Sequence, residues 1–336
     1  MKKLLYLGNA LSQHGINVST VETLTPLLQN EGYEVVVASS QKNMVFRFLD
    51  MFYVTLRYAR KSDYVLIDTY STLNFWYAVL VSQLCRLLRA KYIPILHGGN
   101  LPGRIQKQPF LTALVFKNSY CNVVPSAYLR VALEASGIPR IVSIPNTLSI
   151  ENYPFLKRTS FEPRLLWVRA FDSIYNPEMA FQVLQNIITS YPQARLTMVG
   201  PFKGLSKEAM TQMVARYNLP VEIKGRLTKS EWISLSESYD FFINTTHFDN
   251  MPVSVMEAMA LGLPVLSTRV GGLPYLISEG ETGILVPDSD AMAMAKALEH
   301  CILNPDETQK MTQKARYQVE QLDWQIVKNQ WKEVLK

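Results

Sequence analysis

Short apolar runs alternate with longer amphipathic stretches along the entire chain of 336 residues. The short runs have the length and the composition of strands. They occupy residues 4–7, 34–38, 64–68, 92–96, 121–124 and 141–144, and then 164–168, 195–199, 221–224, 240–243, 264–267 and 284–286. Apolar residues recur at helical spacing in between, for example at 19–30, 75–89, 177–190 and 253–261. This alternation predicts an α/β fold with parallel sheets covered on both faces by helices.

A proline-containing segment interrupts the alternation near the middle of the chain. Residues 145–163 carry three prolines among mixed polar residues, which is typical of a linker between domains. The strand–helix pattern then restarts. We therefore predict two Rossmann-like domains facing a cleft, the first over residues 1–150 and the second over 151–315, with ligands at the carboxyl ends of the strands.

Composition excludes several classes of protein. Apolar residues make up 48% of the chain and charged residues 18%, which excludes global disorder. The three cysteines form no CxxC pair, which excludes a disulfide scaffold and a cysteine-built zinc site and favours a reducing compartment. The apolar run after the basic first residues is too short for a secretory signal, and polar residues interrupt the longest apolar stretch, 73–88. We expect a cytoplasmic protein without a transmembrane segment.

Positive charge is concentrated in the first half of the chain. Residues 1–150 carry a net charge of +8, whereas residues 151–336 carry −2. This asymmetry predicts an anionic partner for the first half. Residues 44–61 combine five aromatic residues with four Lys and Arg, among them Arg47, Arg57 and Arg60. This segment is either a helix lying on an anionic membrane, at its inner face, or an ordinary packing helix with a solvated basic edge. Nucleic acid is disfavoured because no nucleic-acid-binding module is present.

The segment 246–272 is the most informative part of the chain. A polar loop follows a predicted strand, and a helix opens around Pro252, where a missing N–H is harmless. The first N–H groups of that helix, at Val253 to Val255, form an anion site. Asp249 lies in the loop, and Glu257 lies eight residues later inside the helix, where a carboxylate suits the hydroxyls of a sugar. Together these groups indicate a ligand with both a phosphate and a ribose.

The segment resembles the retaining glycosyltransferases of glycosyltransferase family 4, which have the GT-B fold. Their hallmark is Glu-x7-Glu followed by Ala-Met-Ala-x-Gly-x-Pro-Val. Here it stands as Asp249-x7-Glu257, followed by AMALGLPV at 258–265. Further matches are LHGGNLP at 96–102, VPSAYL at 124–129, IPN at 144–146, LLWVR at 165–169, MVGP at 198–201, KGRL at 224–227 and VGGLP at 270–274. The resemblance covers residues 90–290 well and implies a C-terminal helix, at 316–336, that crosses back to the first domain.

The resemblance also implies the reaction and its residues. The protein would move a hexosyl unit from a UDP- or GDP-sugar to an acceptor hydroxyl with retention, without metal or other cofactor, during bacterial surface-polysaccharide assembly (lipopolysaccharide, capsule or exopolysaccharide). The implied catalytic residues are His97, Arg169, Asp249 and Glu257. The implied donor-binding residues are Gly15, Gly200, Gly225, Arg226, Leu227, Asn250, Met251, Val253, Ser254 and Glu257. A lipid-linked or oligosaccharide acceptor would lie near Arg104 and Lys107.

Three positions depart from the family pattern. The first acid is Asp249 rather than Glu, and Pro252 stands where Gly is frequent. The lysine that usually follows the arginine is absent from residues 170–177, which leaves Lys203 or no residue as the second cation for the diphosphate. Two alternatives remain open: another GT-B enzyme such as a nucleotide-sugar epimerase, or a non-catalytic partner that binds nucleotide sugars.

Two other polar features have ordinary structural explanations. For His247, we favour loop packing over a contact with the donor sugar. Asp288-Ser289-Asp290 has the spacing of a metal-binding DxD motif, but it precedes a predicted helix and fits an N-cap better.

Overall fold

The chain forms two units in the computed structural model, which describes residues 1–14 and 18–336. Met1–Pro145 and Asn329–Lys336 make up the first unit, and Asn146–Lys328 make up the second. Within the described residues, each unit contains a six-stranded sheet. All neighbouring strands in both sheets are parallel. The predicted α/β class with two parallel sheets is therefore confirmed.

Strands and helices alternate in the first unit. Its strands are β1 (Lys3–Leu7), β2 (Glu34–Ala38), β3 (Tyr64–Thr69), β4 (Tyr92–Leu96), β5 (Asn122–Val124) and β6 (Ile141–Ser143). Its helices are α1 (Thr20–Asn30), α2 (Met44–Tyr58), α3 (Phe75–Leu87), α4 (Leu101–Lys107), α5 (Pro109–Phe116) and α6 (Ala127–Ala135). The strand order is β2-β1-β3-β4-β5-β6.

The second unit repeats this organisation. Its strands are β7 (Arg164–Val168), β8 (Arg195–Val199), β9 (Val221–Gly225), β10 (Phe241–Asn244), β11 (Val265–Thr268) and β12 (Ile284–Val286). Its helices are α7 (Pro177–Ile187), α8 (Lys207–Tyr217), α9 (Lys229–Ser236), α10 (Val253–Ala260), α11 (Leu273–Leu276), α12 (Ala291–Leu303) and α13 (Pro305–Glu320). The strand order is β12-β11-β10-β7-β8-β9, and the last helix, α14 (Trp324–Val334), leads into the terminal residues of the first unit.

Both faces of the second sheet are buried. Side chains alternate along β7, so Leu165 and Trp167 join one apolar cluster while Leu166 joins the cluster on the opposite face. Phe241 and Phe242 divide between the same two clusters. Because both faces carry apolar side chains, helices cover the sheet on both sides, as the continuous apolar runs predict.

In each sheet, the direction in which successive strands are added changes once, although all strands remain parallel. β1 lies between β2 and β3, and β7 lies between β8 and β10. Successive connections leave β1 or β7 in one direction and later return to its other side. The carboxyl ends of the two central neighbours then border a crevice, which is the usual ligand site in open α/β sheets.

The predicted strands all occur, each within one residue of its predicted ends. The interpretation of 145–163 as a linker is wrong for most of that segment. Tyr153 and Phe161 are buried in the second unit, and the buried Arg158 donates to the backbone oxygens of Tyr239 and Ser236. The prolines break secondary structure there, but the residues between them pack against the second sheet. Among the described helices, none is both long and apolar enough to cross a bilayer.

Candidate functional site

Arg169 and Asp249 meet at the crevice of the second sheet. Arg169 directly follows β7, and Asp249 lies in the loop after β10. Both therefore lie at the crevice between these two neighbouring strands, where the strand order changes side. Their side chains form an ion pair that is largely buried. The Arg169 guanidinium also lies 4.5 Å from the ring centroid of Tyr175 and donates from Nη1 to Ser254 Oγ at 3.3 Å. Burial lowers the pKa of Arg169 to about 10, so the side chain remains charged at neutral pH.

Two glycines hold the loop that carries Asp249. Gly271 has a φ of +52°, which is the left-handed region, and a Cβ there would overlap the carbonyl oxygen of Asp249. A Cβ at Gly272 would overlap the carbonyl oxygen of Asn250 in the same way. The Gly272 N–H donates to the Asp249 carbonyl at 3.0 Å. The two glycines therefore allow the loop after β11 to approach the backbone of the Asp249 loop closely.

Helix α10 begins beside this ion pair. Its first N–H groups, at Val253 and Ser254, belong to the turn that has no partner inside a helix. The Val255 N–H, in contrast, donates to the Pro252 carbonyl at 3.2 Å, which removes it from the predicted anion site. Asn250 is buried, and its N–H donates to Asp249 Oδ1 at 2.7 Å. Local hydrogen bonds therefore hold the loop at the start of the helix.

Glu257 is buried inside α10, with 3% of its surface exposed. The Tyr153 hydroxyl donates to its Oε1 at 2.8 Å, and Lys229 forms an ion pair with the same oxygen. Burial raises the pKa of Tyr153, and the neighbouring Glu257 raises it further. A buried carboxylate is costly unless it is paired and hydrogen-bonded, and these two partners meet that need.

Sequence analysis missed both partners of Glu257. Lys229 is the first residue of α9 and directly follows the KGRLT segment, which was a usable signal. Tyr153 lies in the segment taken for a linker, and nothing local to it indicates a contact with Glu257, which lies 104 residues away.

The remaining predicted donor residues lie at the ends of neighbouring strands or in the next loops. The Gly200 N–H, after β8, donates to the carbonyl of Gly225 in β9 at 2.7 Å. Leu227 packs partly buried against an apolar cluster of the second unit, and Arg226 is exposed. Lys203 is exposed, and its backbone N–H donates to the Phe171 carbonyl. The Met251 carbonyl accepts from Asn146 Nδ2 at 3.1 Å.

His247 and the Asp288 loop form a separate contact. His247 Nδ1 lies 2.8 Å from Asp288 Oδ1, and the side-chain oxygen of Asp290 accepts from the Ala293 N–H at the start of α12. The N-cap prediction for Asp290 is confirmed. Within residues 1–14 and 18–336, no group of three His, Cys, Asp or Glu residues is placed to bind a metal ion.

His97 of the first unit is held by a buried aspartate. His97 Nε2 lies 2.8 Å from Asp68 Oδ1, and the Tyr6 hydroxyl donates to the same oxygen at 2.9 Å. Asp68 is fully buried in β3, and the ring of Tyr70 lies beside His97. Sequence analysis assigned no role to Asp68, although a charged residue near the end of an apolar strand is a visible signal. Gly15 lies outside the described residues.

The predicted basic residues of the first unit have different environments. Arg47 is buried, and its Nη1 donates to the carbonyls of Gln41 and Lys42, so its assignment to an acceptor or membrane surface is wrong. The guanidinium instead ties the loop before α2 to the helix. Arg104 is half-buried and donates to the Ser71 carbonyl. Arg57, Arg60 and Lys107 are exposed.

Comparison with known proteins finds similarity in the second unit. Residues 154–318 match the family model described as glycosyl transferases group 1. The matched residues include Arg169, the Asp249 loop and Glu257.

Several curated proteins are similar to the same part of the chain. A sulfoquinovosyl transferase of Arabidopsis thaliana is 30% identical over 151 residues, which are 44% of this chain and 29% of that protein. A putative colanic acid biosynthesis glycosyltransferase of Escherichia coli is 31% identical over 135 residues, which are 38% of this chain and 32% of that protein. The chain thus matches only about a third of the length of these relatives.

Solved structures are similar over the entire chain. A sucrose-phosphate synthase from Thermosynechococcus elongatus has a TM-score of 0.79 at 17% identity, over 99% of this chain and 98% of that one. HepE of Anabaena, solved in complex with UDP-glucose, has a TM-score of 0.75 at 17% identity, over 100% and 99% of the two chains. At this identity the likeness shows the shared GT-B fold.

Proposed function

We propose that this protein is a retaining glycosyltransferase that transfers a hexosyl unit from a UDP- or GDP-sugar to an acceptor hydroxyl. The observation that carries the proposal is the convergence of Arg169, the first turn of α10 and the buried Glu257 at the crevice of the second sheet. The group 1 match over the same residues supports it. The relative that is named for colanic acid biosynthesis supports a role in bacterial surface-polysaccharide assembly.

In this proposal, the charge of the leaving group is balanced by the protein. The nucleoside diphosphate gains negative charge as the glycosidic bond breaks. Arg169 and the free N–H groups of Val253 and Ser254 would stabilise that charge where it develops. Glu257 would accept hydrogen bonds from the ribose hydroxyls. We propose no protein nucleophile: the departing phosphate oxygen takes the proton of the acceptor hydroxyl, which attacks from the same face.

Asp249 and the two lysines define how the site accepts a donor. Because Asp249 already pairs with Arg169, the diphosphate competes with this carboxylate for the guanidinium. Lys229 balances the charge of Glu257 before the ribose arrives. Lys203, in the exposed loop after β8, is our candidate for the second cation on the diphosphate. His97, oriented by Asp68, would contact the donor sugar.

The test is a sugar-transfer assay with variants of both key residues. Glu257→Gln removes the charge of the carboxylate that would accept hydrogen bonds from the ribose. Arg169→Lys keeps a cation but loses the bidentate contact of the guanidinium with the diphosphate. We expect Arg169→Lys to lower kcat roughly 100-fold or more, as does loss of one group that stabilises the transition state. Arg269→Lys and Glu279→Gln, at an exposed ion pair of the same unit, are the matched controls.

The assay also separates the alternatives. Isomerisation of the nucleotide sugar without transfer to any acceptor would identify an epimerase. Binding of UDP or GDP without either reaction would identify a non-catalytic binding partner. Full turnover in both Glu257→Gln and Arg169→Lys would contradict the site assignment.

For the lysines, the readout is the affinity for the nucleoside compared with that for its diphosphate. Lys203→Ala should weaken binding of the nucleoside diphosphate but not of the nucleoside, since only the former carries the charge that Lys203 would contact. Lys229→Ala should weaken both ligands, because Glu257 faces the ribose that they share.

A further inference from the structure

The outward face of α2 is apolar, although the helix lies at the surface. Val45 and Phe46 are each 62% exposed, and Tyr53 is 57% exposed. Leu49 and Leu56 lie on the same face and are also exposed. A surface helix normally turns its polar side to water, and a contiguous exposed apolar patch marks an interaction site. We call these five residues the α2 face.

The inward side of α2 is correspondingly polar in part. Arg47 and Thr55 are buried there with Met51. The sequence left open whether α2 lies on a membrane or packs in the core, and the structure places Arg47 on the inward side of the helix. The apolar residues of the α2 face are therefore not needed for the core of the first unit.

An apolar cavity continues the α2 face toward α3. Its volume is about 270 Å³, and its lining includes Met44, Phe48, Leu73 and Trp76. Leu73 is 65% exposed and Trp76 is 47% exposed, so the apolar surface spans the beginnings of two helices. This surface is wider than one helix face and includes an apolar indentation.

Cations flank the apolar surface. Lys42 precedes α2, and Arg57, Arg60 and Lys61 lie at its end, all exposed. The acid on this helix is Asp50, which is half-buried. Arg57 donates from Nη1 to the Tyr53 hydroxyl at 3.3 Å, which places an aromatic ring and a cation together at the edge of the face. Apolar residues bordered by aromatic rings and cations are what the interface of an anionic bilayer binds.

We propose that the α2 face, with the adjoining cavity, inserts into the interface of an anionic lipid bilayer. The apolar side chains enter the headgroup–acyl boundary, and Arg57, Arg60 and Lys61 contact lipid phosphates. This inference does not depend on the proposed reaction. The flanking cations favour a lipid surface over a second copy of this chain, because two like-charged faces would repel each other.

The experiment is co-sedimentation of the full chain with vesicles. One set contains equal parts of phosphatidylglycerol and phosphatidylcholine, and the other contains phosphatidylcholine alone. We expect binding to the anionic vesicles, which weakens as salt is raised. Combining Arg57→Gln with Arg60→Gln should weaken this binding about 30-fold, since two contacts with the anionic surface are lost.

The apolar part is tested by combining Phe46→Ser with Leu49→Ser. We expect this double variant to lose vesicle binding while its unfolding temperature stays within a few degrees of the unaltered protein. The matched control combines Leu303→Ser with Tyr317→Ser, two exposed apolar residues of the second unit, and should bind as the unaltered protein does.

Trp76 reports insertion directly. The chain has five tryptophans, and the other four, Trp167, Trp232, Trp324 and Trp331, are buried. Lipids brominated on their acyl chains should therefore quench Trp76, and Trp76→Phe should abolish the quenching while vesicle binding remains. Equal binding to both vesicle sets, or no binding to either, would overturn the proposal. So would a dimer that the Phe46→Ser and Leu49→Ser variant dissociates, since a second copy would then cover the face.

Discussion

Arg169 serves two opposing needs at the scale of single residues. Its guanidinium must stay charged for the proposed reaction, yet it is buried, and an isolated buried charge is unfavourable. Asp249 resolves this conflict by pairing with it. Donor binding must then release or share the guanidinium.

This competition predicts the effect of Asp249→Asn. Removing the carboxylate charge should tighten binding of the free nucleoside diphosphate roughly tenfold, because hydrogen bonds to charged groups contribute about 1.5–3 kcal/mol and Arg169 no longer has a carboxylate partner. Turnover should fall if Asp249 also contacts the donor sugar. Calorimetric titration with UDP and GDP measures the first effect, and Asp288→Asn, at an exposed acid of the same unit, is the control. Weaker nucleotide binding in Asp249→Asn would contradict the competition.

At the scale of elements, the loop after β11 positions the loop after β10. Gly271 combines a left-handed φ of +52° with close approach to the Asp249 carbonyl. The two requirements can be separated, because Gly280 has a similar φ of +71° and no atom within 4 Å of an added Cβ. The pair therefore distinguishes backbone strain from displacement of the loop.

We expect Gly280→Ala to cost about 1–2 kcal/mol of stability, the usual penalty for a side chain in the left-handed region. Gly271→Ala should cost more and should also weaken nucleotide binding, since the Asp249 loop must move. Urea unfolding and nucleotide titration measure the two effects. Unchanged nucleotide affinity in Gly271→Ala would show that the loop tolerates the displacement and that its position does not define the site.

At the scale of the whole molecule, the three cysteines report on the two units separately. Cys85 and Cys121 belong to the first unit and Cys301 to the second. Burial raises the pKa of Cys85 to about 12 and those of Cys121 and Cys301 to about 11, so all three thiols are protonated and protected at neutral pH. Reaction with a thiol reagent should therefore require local or global unfolding.

A nucleotide bound to the second unit should protect Cys301 selectively. At about 100 times its dissociation constant, a ligand stabilises the state that binds it by about 2.7 kcal/mol, which slows labelling about 100-fold where labelling follows the opening equilibrium. Mass spectrometry of the labelled peptides in moderate urea measures each cysteine. Equal protection of all three would show that the units unfold together, and protection of Cys85 and Cys121 alone would contradict a nucleotide site in the second unit.

Much of the fold and part of the site follow from local patterns. The predicted strands occur within one residue of their expected ends, because apolar runs and helical spacing are properties of short segments. Arg169, Asp249 and Glu257 were recognisable because they stand at strand ends or at a fixed spacing inside one motif. Side chains that follow parallel strands lie at one edge of the sheet, so the sequence predicts that Arg169 and the Asp249 loop share that edge, but not that they pair.

Contacts between distant segments depended on the tertiary structure. The pairing of Arg169 with Asp249, the support of Glu257 by Tyr153 and Lys229, and the hold of Asp68 on His97 each join different elements. The orientation of α2 belongs to the same class. Its periodicity allowed an apolar face but did not say which side would meet the sheet. Arg47 lies on the inward side, where it donates to the backbone oxygens of Gln41 and Lys42, and the outward side is apolar. Such choices depend on what packs opposite each side chain, and that is settled only when the entire unit has folded.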